Sequence, residues 1–222
     1  MDVEAVAMKK LREPQQGRSR ASFERMLATA EALMVERGSD DFTLNDVAKV
    51  GKVSIGSIYC RFDSKDDLVR AVQTRVLDRV DAEMLSQIAD ARDGASGLDD
   101  VVHRLVQNVA DTLSRFAAVM RPLMLRASSD PVIAMIGKRS FIATAQAVTG
   151  ALLAHRDEVA HPDPDRAADA AFTMLYASVA RHLGFGTSSE ASGEGDWTML
   201  KQDLADMVSA FLAHVPSRYS RS

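Results

Sequence analysis

The sequence predicts an all-α protein, and three observations carry the prediction. Apolar residues recur at steps of three and four along most of the chain, the spacing that gathers side chains on one face of a helix. Hydroxyl residues stand just before several of these stretches, where a side-chain oxygen can accept the first unpaired backbone N–H groups of a helix. Only six prolines fall among 222 residues rich in Ala, Leu, Val and Met, a composition that favours helix over strand. A chain of this length buries a core unaided and has room for a small unit joined to a larger one.

Taken in order, residues 1–17 mix charges with Pro14 and Gly17 and offer no apolar face, so a flexible basic arm is expected there. Phe23, Met26, Leu27, Ala30, Leu33 and Met34 then form one helical stripe that ends at Gly38. Thr43 with Asp46 three residues on is a capping box, opening a helix whose apolar residues Leu44, Val47, Ala48 and Val50 give about two turns before Gly51. Ser54 can cap a third helix ending near Phe62. Ser64 with Asp67 gives a second box, at the head of a long helix through Leu68, Val72, Val76, Val80, Met84 and Ile88.

Beyond the ARDGASG break at 91–97, the pattern stays helical. Val101, Val102, Leu105, Val106, Val109, Leu113 and Phe116 form a stripe, and Pro122 either starts a new segment or kinks this one. SSDP at 128–131 turns into a helix through Ile133, Ile136, Phe141, Ala145, Val148 and Leu152, and HPDPD at 161–165 marks the next boundary. Ala167 to Leu183 is alanine-rich, and a polar Gly/Ser/Glu loop leads to a last helix with Leu200, Leu204, Met207, Val208, Phe211 and Leu212 on one face.

The charge is unevenly spread. From Lys9 to Arg25 there are six basic residues against two acidic, whereas beyond Lys65 there are 16 basic against 21 acidic. A basic leading end on an acidic body suits a protein that presents one face to a polyanion. The single cysteine, Cys60, excludes an intrachain disulfide framework and is expected as a small side chain at a partly buried site. The five histidines have no spacing that pairs two on a helix face with a carboxylate, so no metal or cofactor is assigned. No nucleophile, acid–base or phosphate-loop motif supports catalysis. A membrane-length apolar run and a signal peptide are both missing, and a cytoplasmic location is expected.

The most signal-dense stretch is Thr43–Leu68. A short helix, a tight turn and a second short helix with small or polar residues at its start suit a helix-turn-helix, because the major groove admits one α-helix reading base edges from its N-terminal end. Ser54, Ile55, Gly56 and Ser57 would face the bases. Tyr59 and Lys65 suit phosphate oxygens, and Thr43 and Arg61 complete the candidate surface. This segment resembles the DNA-binding region of TetR-type transcriptional regulators, on Thr43, Val47, Ala48, Val53, Ser54, Gly56, Tyr59, Phe62, Lys65 and Leu68 at fixed spacing. It departs where the family has Ala-Gly and this chain has Gly51-Lys52. Either Lys52 takes a left-handed conformation at a cost of about 1 kcal/mol, or the turn shifts and Gly51 takes that role; Lys52 would lie near DNA.

The resemblance implies three parts: the arm over 1–17, a DNA-binding domain over 18–65, and a helical effector-binding and dimerisation domain over 66–222. It implies a homodimer on a double-stranded, two-fold-related operator, released by a small-molecule effector. Candidate ligand-facing residues are Phe116, Met120, Met124, Phe141, Met174 and Tyr176, with Trp197 beside them, although core packing would explain each. The last two helices, through Ala171, Leu175, Val179, Leu204, Val208 and Phe211, are expected to meet their symmetry mates. Two other readings remain open: an enzyme or small-molecule-binding protein with a vestigial helix-turn-helix, and a DNA-binding protein without an effector.

Overall fold

The computed structural model describes residues 17–186 and 192–215, and among these it contains eight α-helices and no strand. They are α1 (Gly17–Arg37), α2 (Leu44–Gly51), α3 (Ile55–Tyr59), α4 (Lys65–Gly94), α5 (Leu98–Ala127), α6 (Pro131–Leu153), α7 (Pro164–His182) and α8 (Trp197–Ala213), with a short 3-10 turn at Arg156–Glu158. The arm expected over 1–17 lies, apart from Gly17, outside the described residues. Pro122 sits inside α5 without ending it. Being a proline, it removes one ladder hydrogen bond.

The chain divides into two compact units. The first holds the described residues up to Leu77 together with Ala118–Gly137, and the second holds Asp78–Ala117 with those from Lys138 onward. Helices α4, α5 and α6 therefore each contribute to both units. The cut differs from the sequence segments, because residues 118–137 join the N-terminal unit. Long-range polar contacts explain why. Arg126 binds Asp40 (2.7 Å) and Asp66 (2.5 Å), Arg70 binds Asp130 (3.0 Å), and the buried Gln73 donates from Nε2 to the Ile133 carbonyl (2.9 Å).

In the first unit, Met26, Ala30, Leu33 and Met34 of α1 are buried with Phe42, Val47, Ile58 and Phe62, and with Leu68, Val69, Val72 and Val76 of α4. Phe23 stacks on Phe62 at 5.8 Å between ring centroids. Val50, expected on the apolar face of α2, is instead 58% exposed. Its helix buries Leu44 and Val47, and the next inward position at a seven-residue repeat is Gly51, which leaves Val50 to one side. Cys60, expected at a partly buried site, is exposed too; it is the C-cap residue just beyond the end of α3 at Tyr59.

In the second unit, buried apolar residues of α5 (Leu98, Val101, Val102, Leu105, Val106, Val109) accompany Val80, Met84 and Ile88 of α4. Ser140 donates to Asp81 (2.5 Å), and Asn108 donates to the Gln87 carbonyl (2.9 Å). Asp163 caps α7 ahead of Pro164, as the HPDPD boundary predicts. The backbone N–H of Ala160 reaches the Leu212 carbonyl (3.0 Å), tying the turn before α7 to the end of α8. Ala171, Leu175, Val179, Leu204 and Val208 are all buried within the chain. That corrects the face expected to meet a symmetry mate: these residues pack α7 and α8 inside one chain, and the large apolar side chains left exposed on those helices are Met174, Met199 and Met207.

Candidate nucleic-acid interface

Local hydrogen bonds define the helix-turn-helix. Thr43 is extended (φ −108°, ψ 161°); its Oγ1 accepts the Asp46 N–H (3.1 Å) while the Asp46 carboxylate accepts the Thr43 N–H (2.9 Å), so both halves of the capping box are made. The Thr43 backbone N–H, with Arg37 at 3.3 Å, holds the Asp46 carboxyl below the ordinary carboxylate range. The helix geometry itself leaves the first-turn N–H groups of Leu44 and Asn45 unpaired. Thr43 is exposed beside them.

The turn resolves the choice at Gly51-Lys52. Lys52 adopts the left-handed conformation (φ 49°, ψ 44°), the one non-glycine among the described residues with positive φ, and its N–H bonds back to the Ala48 carbonyl. Gly51 is needed for a different reason: a Cβ there would stand 2.7 Å from the Thr29 Oγ1 of α1. Close approach of α1 and α2 thus reserves the glycine for position 51. The strain then falls on a lysine whose side chain is exposed.

Ser54 caps α3, accepting the Ser57 N–H (3.1 Å) and sharing a hydrogen bond with the Ser57 hydroxyl (2.7 Å). Gly56 faces open space and is exposed, Ile55 is partly exposed, and Tyr59 is 59% exposed, while Ile58 on the opposite side is fully buried. One short helix therefore presents small, polar and phenolic groups outward from a single apolar anchor. Ser64 accepts the Asp67 N–H (3.2 Å), as expected for an N-cap, and its hydroxyl donates to the Asp67 carboxylate (2.9 Å).

Two candidates are engaged within the protein. Arg61 donates to the Ser19 carbonyl (3.2 Å) and hydroxyl and lies over the Phe23 ring at 5.5 Å, which fastens the end of α3 to α1. Lys65 donates to the Asp40 carbonyl (2.5 Å), stands 3.6 Å from its carboxylate and lies over Phe42. Sequence reasoning missed Lys49, which is exposed in the last turn of α2 near Lys52. It also missed Asp40 and Arg126 around Lys65, because no local pattern links positions 86 residues apart.

The residues expected to face a ligand fall in different units. Phe141, Phe172 and Tyr176 form an aromatic cluster between α6 and α7, with Phe141 and Tyr176 edge-on at 4.8 Å, and burial pushes the Tyr176 hydroxyl up to about 12. Phe116 lies under the Arg79 guanidinium in the same unit. Met174 is 44% exposed. Met120 and Met124 belong to the first unit. Phe172 was not foreseen; its alanine-rich surroundings carried no signal beyond helix.

With this geometry in view, residues 26–72 match the family model of bacterial regulatory proteins, tetR family. The chain carries the tetR-family domain. The match covers α2, the strained turn and α3, with most of α1 and the first residues of α4. No curated protein matches the chain significantly. Solved structures do. A protein from Mesorhizobium loti assigned as a TetR-family transcriptional regulator is similar over 89% of this chain and 98% of its own, with TM-score 0.72 and 19% identity. The fatty acid degradation regulator FadR from Bacillus halodurans gives TM-score 0.64 at 17% identity, over 90% of this chain and all of its own. A transcriptional regulator assigned from Saccharomonospora viridis, solved with choline, gives TM-score 0.66 at 17% identity, over 85% and 95%. At these identities the likeness is one of fold, over 85–90% of this chain. No described helix is long and apolar enough to cross a membrane.

Proposed function

We propose that this protein is a cytoplasmic, ligand-responsive transcriptional regulator, acting as a repressor, that binds a palindromic double-stranded operator as a homodimer and leaves it when a small-molecule effector binds. The observation that carries the reading is the capped helix-turn-helix with Thr43, Lys52, Ser54, Gly56 and Tyr59 exposed together on consecutive elements. Ser54, Ile55, Gly56 and Ser57 read base edges; Thr43, Lys52, Tyr59 and Lys65 bind phosphates; Arg61 supports the reading helix from behind. The choline-bound neighbour supports a small-molecule effector, and it does not name the effector of this chain. An effector acts by binding better to a dimer whose reading helices are not one DNA turn apart, and its differential affinity sets the loss of DNA binding. Nothing in the site calls for an enzymatic role.

The dimer forms through the exposed faces of α7 and α8, where Met174, Met199 and Met207 stand free of the intrachain core. Selection of duplexes from a random library, followed by sequencing, tests the whole reading. Wild type enriches a two-fold site with half-sites about one helical turn apart, while Met207→Glu is monomeric by light scattering and enriches single half-sites. Enrichment of no sequence by a folded, dimeric wild type would remove the operator from the proposal.

A further inference from the structure

From the contacts around Lys65 we infer that Arg126, on the last turn of α5, is a positioning residue for DNA binding: it holds the Asp40 carboxylate and so keeps the Lys65 ammonium available to a phosphate. The inference rests on the proposed DNA-binding role and adds to it a residue 61 positions beyond Lys65, outside the helix-turn-helix.

Asp40 Oδ2 is shared. Arg126 Nη1 meets it at 2.7 Å and Lys65 Nζ at 3.6 Å. Arg126 Nη2 reaches the Asp66 carboxylate at 2.5 Å and lies 4.0 Å from that of Asp130. Asp130 is 4% exposed and mainly occupied by Arg70 at 3.0 Å and by the N–H groups of Val132 and Ile133. Lys65 is thus followed in sequence by one carboxylate, Asp66, and stands near a second, Asp40, both neutralised by the same guanidinium. Coulomb attraction falls with distance, so the nearer arginine dominates the shared oxygen. Its planar fork also spans two carboxylates at once, which a lysine cannot do.

Without Arg126 the balance reverses. Asp40 and Asp66 are left facing one ammonium, which already donates to the Asp40 carbonyl. Lys65 is then drawn fully onto Asp40, and Asp66 is left without its guanidinium, so an incoming phosphate meets a paired lysine beside one excess negative charge. The side chain exposures are 31% for Lys65 and 22% for Arg126, so neither charge is fully screened by water. The contact belongs to the first unit, but its arginine comes from α5, a helix whose earlier residues belong to the second. Any movement of the α5 end that withdraws Arg126 from Asp40 therefore weakens DNA binding without touching the reading helix.

The test is anisotropy of a fluorescent mixed-sequence duplex of about three helical turns, titrated with the full chain across a salt series. Arg126→Met lowers affinity about tenfold near 0.1 M salt and flattens the plot of log K against log salt by about one unit per protomer, the signature of one lost phosphate contact. Asp40→Asn alone binds at least as tightly as wild type with the same slope, and adding it to Arg126→Met restores both affinity and slope. A merely structural arginine would show no such rescue. Unchanged binding by folded Arg126→Met, a double variant that stays weak, or weakened binding by Asp40→Asn alone would each overturn the assignment. A wild type with no salt-dependent affinity would instead remove the DNA-binding reading, and the assignment with it.

Discussion

The helix-turn-helix and the last two helices are built by opposite means. α2 and α3 have eight and five residues, too few to be stable alone, and they owe their ends to side chains a few positions away: Thr43 with Asp46, Ser54 with Ser57. α7 and α8 have 19 and 17 residues and owe their place to buried stripes, Ala167, Ala171, Leu175 and Val179 on one and Leu204, Val208 and Leu212 on the other. The first kind of element fixes direction and exposure residue by residue, as a surface that must match a groove requires. The second fixes a packed layer and leaves its outer face open to variation.

That contrast can be broken most strongly at Gly51. An added Cβ would meet Thr29 Oγ1 at 2.7 Å, with Thr29 Cβ at 3.4 Å and Cγ2 at 3.6 Å close behind it, so a change of Thr29 rotamer relieves the clash only in part. Gly51→Ala is expected to destabilise the protein by about 1–3 kcal/mol, and Thr29→Ala in the same chain recovers part of the loss. Amide hydrogen exchange should rise over residues 43–62 and stay unchanged over α7 and α8. An equal rise in both would mean that the two regions are not built independently.

A smaller effect is expected next door. Lys52 at φ 49° carries backbone strain that glycine would relieve, so Lys52→Gly raises stability by about 1 kcal/mol in chemical denaturation. The same variant loses one phosphate contact and shows a shallower salt dependence on duplex DNA. Gain of stability with loss of affinity would mark position 52 as one where function holds a strained residue in place.

How much was legible from the sequence follows the same divide. The caps at Thr43 and Ser54, the αL turn at 52 as one of two choices, and the boundaries at Gly38 and 161–165 were readable because each depends on neighbours within four residues, whereas the break expected over 91–97 narrows to 95–97, α4 running on through Gly94. The partners of Lys65 and Arg61 were not, since Asp40, Arg126 and Ser19 approach them only after folding. In the body, helical stripes found most buried residues of α7 and α8 but placed Met207, which is 64% exposed, on the apolar face of α8, and they misassigned what that face meets. Periodicity tells which side is apolar; it does not tell whether the partner is the same chain or another. Val50 failed for a related reason: in a two-turn helix, one position of error in the stripe moves a side chain from core to solvent.

The body offers its own, finer test at Tyr176. Its ring lies against Phe141 and Phe172, and burial alone pushes its hydroxyl up to about 12, against about 10 for a free tyrosine. A group raised in the folded state contributes stability that is complete below the unfolded value and lost as pH rises through the folded one. Between pH 10 and 12, wild type should therefore lose stability relative to Tyr176→Phe, while around neutral pH the difference between the two proteins does not change with pH. Absorbance near 295 nm checks the same point: the wild-type curve keeps a component ionising near pH 12 that the phenylalanine variant lacks. If both proteins ionise identically, the aromatic cluster is open to water. It would then be a hydrated opening rather than a packed layer, and the contrast drawn with the capped helices would weaken on the side where it rests on burial.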